Sequence, residues 1–179
     1  LIAGLQNRSE GTVRALLGKE LMTENGLLTE QGSSTFWDRS TLYALRGIYI
    51  AGQADRATEF LSHYARRRLL GDHVPYPIEA WPEGSQRHLA AESGLFCRVI
   101  TEGLFGIRPT GFRSFDLTPS MPSGWNRMAL RHIRAFENNF DLVIEKQPDG
   151  FLLVTLAISG CNPRAFRLRQ GASLRIKLP

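Results

Sequence analysis

Apolar residues recur every three or four positions through the first part of the chain, a spacing that places them on one side of an α-helix. The pattern predicts a weakly amphipathic helix from Glu10 to Met22, a more apolar helix from about Trp37 to Ala51, and an amphipathic helix from about Gln53 to Leu70. A fourth helix, from Leu89 to Phe105, is apolar nearly all round. A helix of this composition is expected to be buried.

The pattern changes after Gly106, where proline and glycine interrupt the chain every few residues. Beyond Trp125, apolar residues alternate with polar ones, which is typical of β-strands. The alternating runs that predict strands include 140–144, 151–158, 165–169 and 172–178. Pro148-Asp149-Gly150 separates the first two of these runs, and such a sequence predicts a hairpin turn.

The chain therefore predicts a mixed, two-part fold. Residues 1–108 form helical hairpins, and residues 109–179 form a small antiparallel β-sandwich domain. In the helical part, apolar and amphipathic helices alternate, and the connection from Gly71 to His88 is much longer than connections in four-helix bundles. This arrangement favours the hairpins of an (α/α)6 toroid, incomplete in this chain, over a four-helix bundle.

Composition and charge exclude some functions. With 42% hydrophobic and 22% charged residues, the 179-residue chain is typical of a folded globular protein. Its net charge is +5, but the basic residues are scattered, and Arg66, Arg67 and Arg68 end a predicted helix, where cations complement the dipole. The sequence also lacks the aromatic and basic motifs of RNA-binding domains. We expect no nucleic-acid partner.

Membrane, metal and cofactor signals are also missing from the sequence. No window approaches the ~18 consecutive apolar residues of a membrane-spanning helix, so we expect no span. The chain begins at Leu1 without Met, and we interpret it as a piece of a larger soluble protein. Its cysteines, Cys97 and Cys161, and its histidines do not approach metal-ligand spacing. We expect neither a metal nor a cofactor.

Polar and aromatic residues concentrate around the starts of the second and fourth helices, where long connections often carry function. These candidates are Trp37, Asp38, Glu79, Trp81, Glu83, Arg87, His88 and Glu92. Several also have structural interpretations. Asp38 suits a helix start, Glu92 complements the positive end of a helix dipole, and Arg87 and His88 are equally suited to a salt bridge that anchors the loop. From the residues alone, Glu79 is better explained as a solvated loop residue than as a catalytic one.

Arg98 and Glu102 lie four residues apart on the fourth helix. Residues at this spacing are neighbours on a helix surface. We expect them to pair with each other or with a neighbouring helix, in a structural role.

Three segments carry a more specific signal: Glu79-Ala80-Trp81, Ile100–Pro109 (ITEGLFGIRP) and Phe115–Trp125 (FDLTPSMPSGW). Together they resemble the C-terminal end of six-hairpin (α/α) toroid glycosidases, the superfamily that includes glucoamylases, rhamnosidases and disaccharide phosphorylases. The first resembles the glucoamylase segment that carries the general base. The second is similar to the end of the last inner helix in many bacterial members, and the third to the passage into their C-terminal β-sandwich. The resemblance covers most of the chain from about Ser33 onward.

The resemblance implies a bacterial glycoside hydrolase of which this chain holds the last hairpins and the β-sandwich. It implies that Glu79 is the general base, with Glu83 as the fallback. The implied substrate-binding residues are Trp37, Asp38, Trp81, Arg87, His88 and Glu92. The aromatic residues among them would stack on a sugar face.

The expected partners are a carbohydrate substrate and the upstream part of the same polypeptide, because the general acid of such enzymes usually lies upstream. We expect the chain to be inactive by itself. The resemblance favours a periplasmic or secreted location, which the sequence alone does not indicate. Two alternatives stay open: a glycoside phosphorylase, in which phosphate replaces water, and a non-catalytic glycan-binding or structural protein.

Overall fold

The computed structural model of the chain describes residues 2–23, 26–28, 34–70, 76–81 and 90–179. The chain divides into two compact units, Leu1–Leu104 and Phe105–Pro179. The described part of the first unit is mostly helical, and the second is built from antiparallel strands. The mixed fold that the sequence predicts is confirmed at this level, whereas the toroid of six hairpins stays a prediction.

The described part of the first unit contains four α-helices and two short antiparallel ladders. The helices are α1 (Ile2–Leu16), α2 (Asp38–Ile50), α3 (Ala54–Arg68) and α4 (Ala90–Arg98), and α4 continues as a π-helical segment, Val99–Leu104. The ladders pair β1 (Met22–Thr23) with β2 (Gly26–Leu27), and β3 (Phe36–Trp37) with β4 (Ala80–Trp81). A helix long and apolar enough to cross a membrane is not found in the described ranges.

Helix α2 forms the centre of the helical core. Leu45, Ile48 and Tyr49 on this helix are fully buried. The Tyr49 hydroxyl forms a 2.9 Å hydrogen bond with that of Thr58 on α3. On another side, a Cβ at Gly103 would lie only 3.1 Å from the Tyr49 ring, so glycine there allows the π-helical segment to pack closely on α2. Helix α2 therefore packs against α3, α4 and the π-helical segment.

The helical spacing predicts α2 and α3 correctly, within one or two residues at each end. The prediction for the first helix is wrong: α1 spans Ile2–Leu16 rather than residues 10–22. The chain leaves the helix in a turn at Gly18, whose N–H bonds to the Ala15 carbonyl at 3.0 Å. The apolar residues beyond that turn lie outside the helix.

The fourth helix is less buried than predicted. On α4, only Glu92 and Leu95 are buried, and Cys97 is exposed. In the described part of the chain, α4 packs mainly on α2 and leads into the π-helical segment, and its Phe96 ring stacks on Tyr64 of α3 with centroids 6.3 Å apart. An apolar composition predicts burial only when neighbours surround the helix.

The second unit consists of two antiparallel sheets. Its strands are β5 (Ile107–Gly111), β6 (Ser114–Leu117), β7 (Arg127–Ala135), β8 (Asn138–Lys146), β9 (Phe151–Ile158), β10 (Arg164–Arg169) and β11 (Leu174–Lys177). The strand orders are β10-β9-β8-β7 and β11-β6-β5. The predicted hairpin is confirmed as β8–β9, and both strands bury alternate residues. The Phe115 and Phe140 rings stack with centroids 6.0 Å apart, and this contact joins the inner faces of the two sheets.

The sequence pattern does not predict strands β5 and β6. Pro109 and Gly111 fall within β5, and proline is unusual inside a strand. Strand β5 lies at the edge of its sheet, and the ladder with β6 is irregular between these two residues. Gly106 precedes the strand with φ of +67°, and a Cβ there would lie 1.9 Å from the Thr118 carbonyl oxygen. Only glycine fits this position without displacing the backbone.

Candidate functional site

The ladder between β3 and β4 brings two of the predicted site segments together. Trp37 pairs with Ala80, and Phe36 pairs with Trp81. The backbone around Glu79 therefore lies beside the first turn of α2, although more than 40 residues of sequence separate the two segments. The sequence analysis assigns these residues to one candidate site, and in the structure their backbones pair with each other.

Asp38 fixes this arrangement from the start of α2. Its side chain is fully buried, and its Oδ2 accepts the backbone N–H of Ile78 at 3.0 Å. Its own N–H donates to the Glu79 carbonyl, also at 3.0 Å. Asp38 thus has a structural role that ties residues 78 and 79 to the helix. Its predicted contact with a sugar stays a prediction.

Arg39, which sequence reasoning did not select, forms an ion pair with Glu92 and is affected by the charge of Glu79. Its Nε and Nη2 each lie 2.7 Å from Oε1 of Glu92. The hydrogen bond to Glu92 and the negative charge of Glu92 raise the pKa of Arg39, and the charge of Glu79 raises it further. Arg39 is therefore within electrostatic range of both Glu79 and Glu92.

Glu92 lies in the first turn of α4 and is fully buried, whereas the Arg39 side chain is 49% exposed. The other carboxylate oxygen, Oε2, is buried with no hydrogen-bond partner among the described residues. A buried carboxylate is costly unless it is paired, so the Arg39 contact is a principal stabilising interaction of Glu92. The expected dipole role of Glu92 is consistent with its position, but the dipole alone does not account for this ion pair.

A second polar network lies farther along the same helices. Glu102 Oε1 accepts Arg98 Nε at 2.5 Å, and Glu102 Oε2 accepts Arg46 Nη1 from α2 at 2.7 Å. These contacts lower the pKa of Glu102, and the hydrogen bond from Arg98 is the largest cause. The prediction that Arg98 and Glu102 pair with each other or with a neighbouring helix is confirmed on both counts.

Trp37 is 40% exposed and directly precedes the polar groups at the start of α2. Glu79 is partly buried. Of the other predicted site residues, Trp81 belongs to β4, and Glu83, Arg87 and His88 lie outside the described residues. The structure thus collects Trp37, Asp38 and Glu79 at the start of α2, and Arg39 links Glu92 to them.

This arrangement offers a partly buried carboxylate, a half-exposed guanidinium held by a buried carboxylate, and an exposed indole. Such groups provide a proton acceptor, hydrogen-bond donors and a flat apolar surface. Comparison of the chain with protein-family models, curated proteins and solved structures finds no match.

Proposed function

We propose that this chain is part of a glycoside hydrolase in which Glu79 is the general base and the start of α2 forms part of the glycan site. The observation that carries the proposal is the attachment of Glu79 to α2. Its carbonyl accepts the Asp38 N–H, and its charge acts on Arg39. The exposed Trp37 precedes both residues and supplies an aromatic surface for a sugar ring.

The helical unit is proposed to be the C-terminal part of an (α/α)6 toroid. In this interpretation α2 and α4 are inner helices and α3 is an outer helix. The polar groups Asp38, Arg39 and Glu92 all lie in the first turns of α2 and α4, so one end of the helix pair carries them. The antiparallel second unit is proposed to be the β-sandwich that follows the toroid.

Hydrolysis with inversion needs two carboxyl groups about 6.5–9.5 Å apart. The base removes a proton from water as the water oxygen attacks the anomeric carbon, and the acid protonates the departing glycosidic oxygen. Glu79 is the proposed base. Glu92 does not suit the acid role, because it is fully buried and its Oε1 is held by Arg39. The acid is proposed to come from another part of the polypeptide.

The proposal is tested by the release of reducing sugar from a panel of plant and host glycans by the full-length protein. Removal of a general base typically lowers the rate by about 10²–10⁴-fold, so Glu79→Gln is expected to lose activity on this scale. Glu59→Gln is the matched control, because Glu59 is an exposed carboxylate on α3. Thermal unfolding of each variant separates a loss of catalysis from a loss of folding.

Each assay is run with and without inorganic phosphate. Phosphate-independent release that fails in Glu79→Gln and persists in Glu59→Gln supports hydrolysis with Glu79 as base. Release that requires phosphate would replace the hydrolase with a phosphorylase. No release from any glycan, or full activity in Glu79→Gln, would contradict the proposal.

A further inference from the structure

Arg39 is the exposed partner of the ion pair at the proposed site, and Glu92 is the fully buried one. We infer that Arg39 is a specificity-determining residue that binds uncharged sugar hydroxyl groups, and that Glu92 sets this preference by balancing its charge. The inference rests on the proposed function, in that it takes the start of α2 as a glycan site. Arg39 is not among the site residues that the resemblance implies.

The contact with Glu92 holds the Arg39 guanidinium in a fixed orientation, from which it can donate hydrogen bonds. Glu92 engages Nε and one terminal nitrogen of the guanidinium through a single oxygen, with both distances at 2.7 Å. Because Glu92 is buried in the first turn of α4, it holds one edge of the guanidinium in place. A guanidinium carries five N–H donors in a rigid plane, so donors away from this edge stay available on the half-exposed side chain.

The surrounding charge favours neutral ligands. The charges of two carboxylates, Glu92 and Glu79, act on the single positive charge of Arg39. Among the described residues, the one guanidinium and the two carboxylates that act on it leave a net negative charge, which repels a uronate or a sulfated sugar. A hydroxyl group accepts a hydrogen bond from Arg39 without this repulsion. The exposed Trp37, two residues before Arg39 in the chain, would add an aromatic surface that does not depend on the charge of the sugar.

The test measures binding of monosaccharides, which have no glycosidic bond to hydrolyse, to the full-length protein. The probes are three pairs that differ only in oxidation at C6: glucose and glucuronate, galactose and galacturonate, mannose and mannuronate. Dissociation constants are measured by ligand-observed NMR titration. The wild-type protein is expected to bind at least one neutral sugar more tightly than its acidic counterpart.

Two variants separate specificity from structure. Glu92→Gln keeps the shape of the side chain but removes its charge, so affinity for the acidic sugar should rise by about tenfold, the scale of one charge interaction near a protein surface. Arg39→Gln should weaken neutral-sugar binding by about tenfold. Arg66→Gln, an exposed position on α3, is the control and should change neither. A purely structural ion pair would not change the relative affinity for the neutral and acidic sugars.

Glu92→Gln keeps the inference testable if Arg39→Gln, which leaves the buried Glu92 carboxylate without its charge partner, does not fold: it leaves only a half-exposed guanidinium unpaired, and unchanged affinity for the acidic sugar in Glu92→Gln would then overturn the inference. Wild-type preference for the acidic sugars, absence of binding to every probe, or unchanged neutral binding in Arg39→Gln would overturn it. The hydrolase proposal fails separately. If Glu79→Gln retained full glycan hydrolysis while Arg39 and Glu92 controlled binding as expected, the base assignment would be wrong and the specificity inference would stand.

Discussion

Asp38 on α2 accepts a hydrogen bond at Oδ2 from the backbone N–H of Ile78, across 3.0 Å and 40 residues of sequence. Ile78 is fully buried, as is Asp38. The bond therefore joins the segment that carries Glu79 to the helix that carries Arg39. Because the bond is buried, its loss affects stability as well as the position of Glu79.

Asp38→Ala is expected to lower the free energy of unfolding by about 1–3 kcal/mol, because it leaves the buried Ile78 N–H without its acceptor. Asp38→Asn keeps a side-chain oxygen at this position and should lose less. Urea unfolding of both variants measures the difference. Equal stability of Asp38→Ala and wild type would show that the bond contributes nothing.

Arg39→Leu is expected to destabilise the helical unit more than Arg66→Leu, because it leaves the buried carboxylate of Glu92 without its charge partner. The double variant Arg39→Leu/Glu92→Leu should recover part of the loss, since it removes the unpaired charge. Thermal melts of the single and double variants give the coupling between the two positions. Additive effects would indicate that the pair is not coupled in solution.

Glu102 should give the helical unit a pH-dependent contribution to stability. Arg98 and Arg46 lower the pKa of Glu102 below 4.5, so its folded form holds its proton less tightly than its unfolded form. The resulting stabilisation is present above the unfolded pKa and is lost as pH falls through the folded pKa. The stability difference between wild type and Glu102→Gln should therefore shrink from pH 7 to pH 3. Denaturant unfolding at both pH values measures it, and a difference that does not change with pH would contradict the argument.

Gly106→Ala is expected to destabilise the β unit by more than about 1–3 kcal/mol, the cost of a strained backbone conformation alone. Gly106 has φ of +67°, and an added Cβ would also collide with Thr118. Gly171→Ala is the control: Gly171 has φ of +79°, but a Cβ there meets no atom within 4 Å. Denaturant unfolding should show a clearly larger loss for Gly106→Ala, and equal losses would refute the steric argument.

Local sequence patterns are sufficient to predict the elements that interactions between nearby residues determine. Buried Leu45 and Ile48 on α2 follow the helical spacing, and the β8–β9 hairpin follows the alternating spacing around a turn. The Arg98–Glu102 pair is also visible, because its members are four residues apart. Each of these signals lies within a few residues of sequence.

Features that depend on distant contacts are not visible in this way. The Arg39–Glu92 pair spans 53 residues, and no periodicity or motif relates its members. The one feature of the sequence that could have indicated Arg39 is its position directly after Asp38, at the start of a helix already assigned to the site. The residues that begin α2 illustrate the limit: the sequence indicates where the site lies, but tertiary contacts decide which side chains pair.

Chemical rescue is the decisive experiment for the proposed role of Glu79 as a general base. In the full-length protein, Glu79→Ala should be nearly inactive on a glycan that wild type hydrolyses, because water then lacks its proton acceptor. Azide needs no base, so adding it should restore turnover and give a glycosyl azide with inverted anomeric configuration, detectable by NMR. An active Glu79→Ala variant, or an inactive and correctly folded one that azide does not rescue, would contradict the assignment.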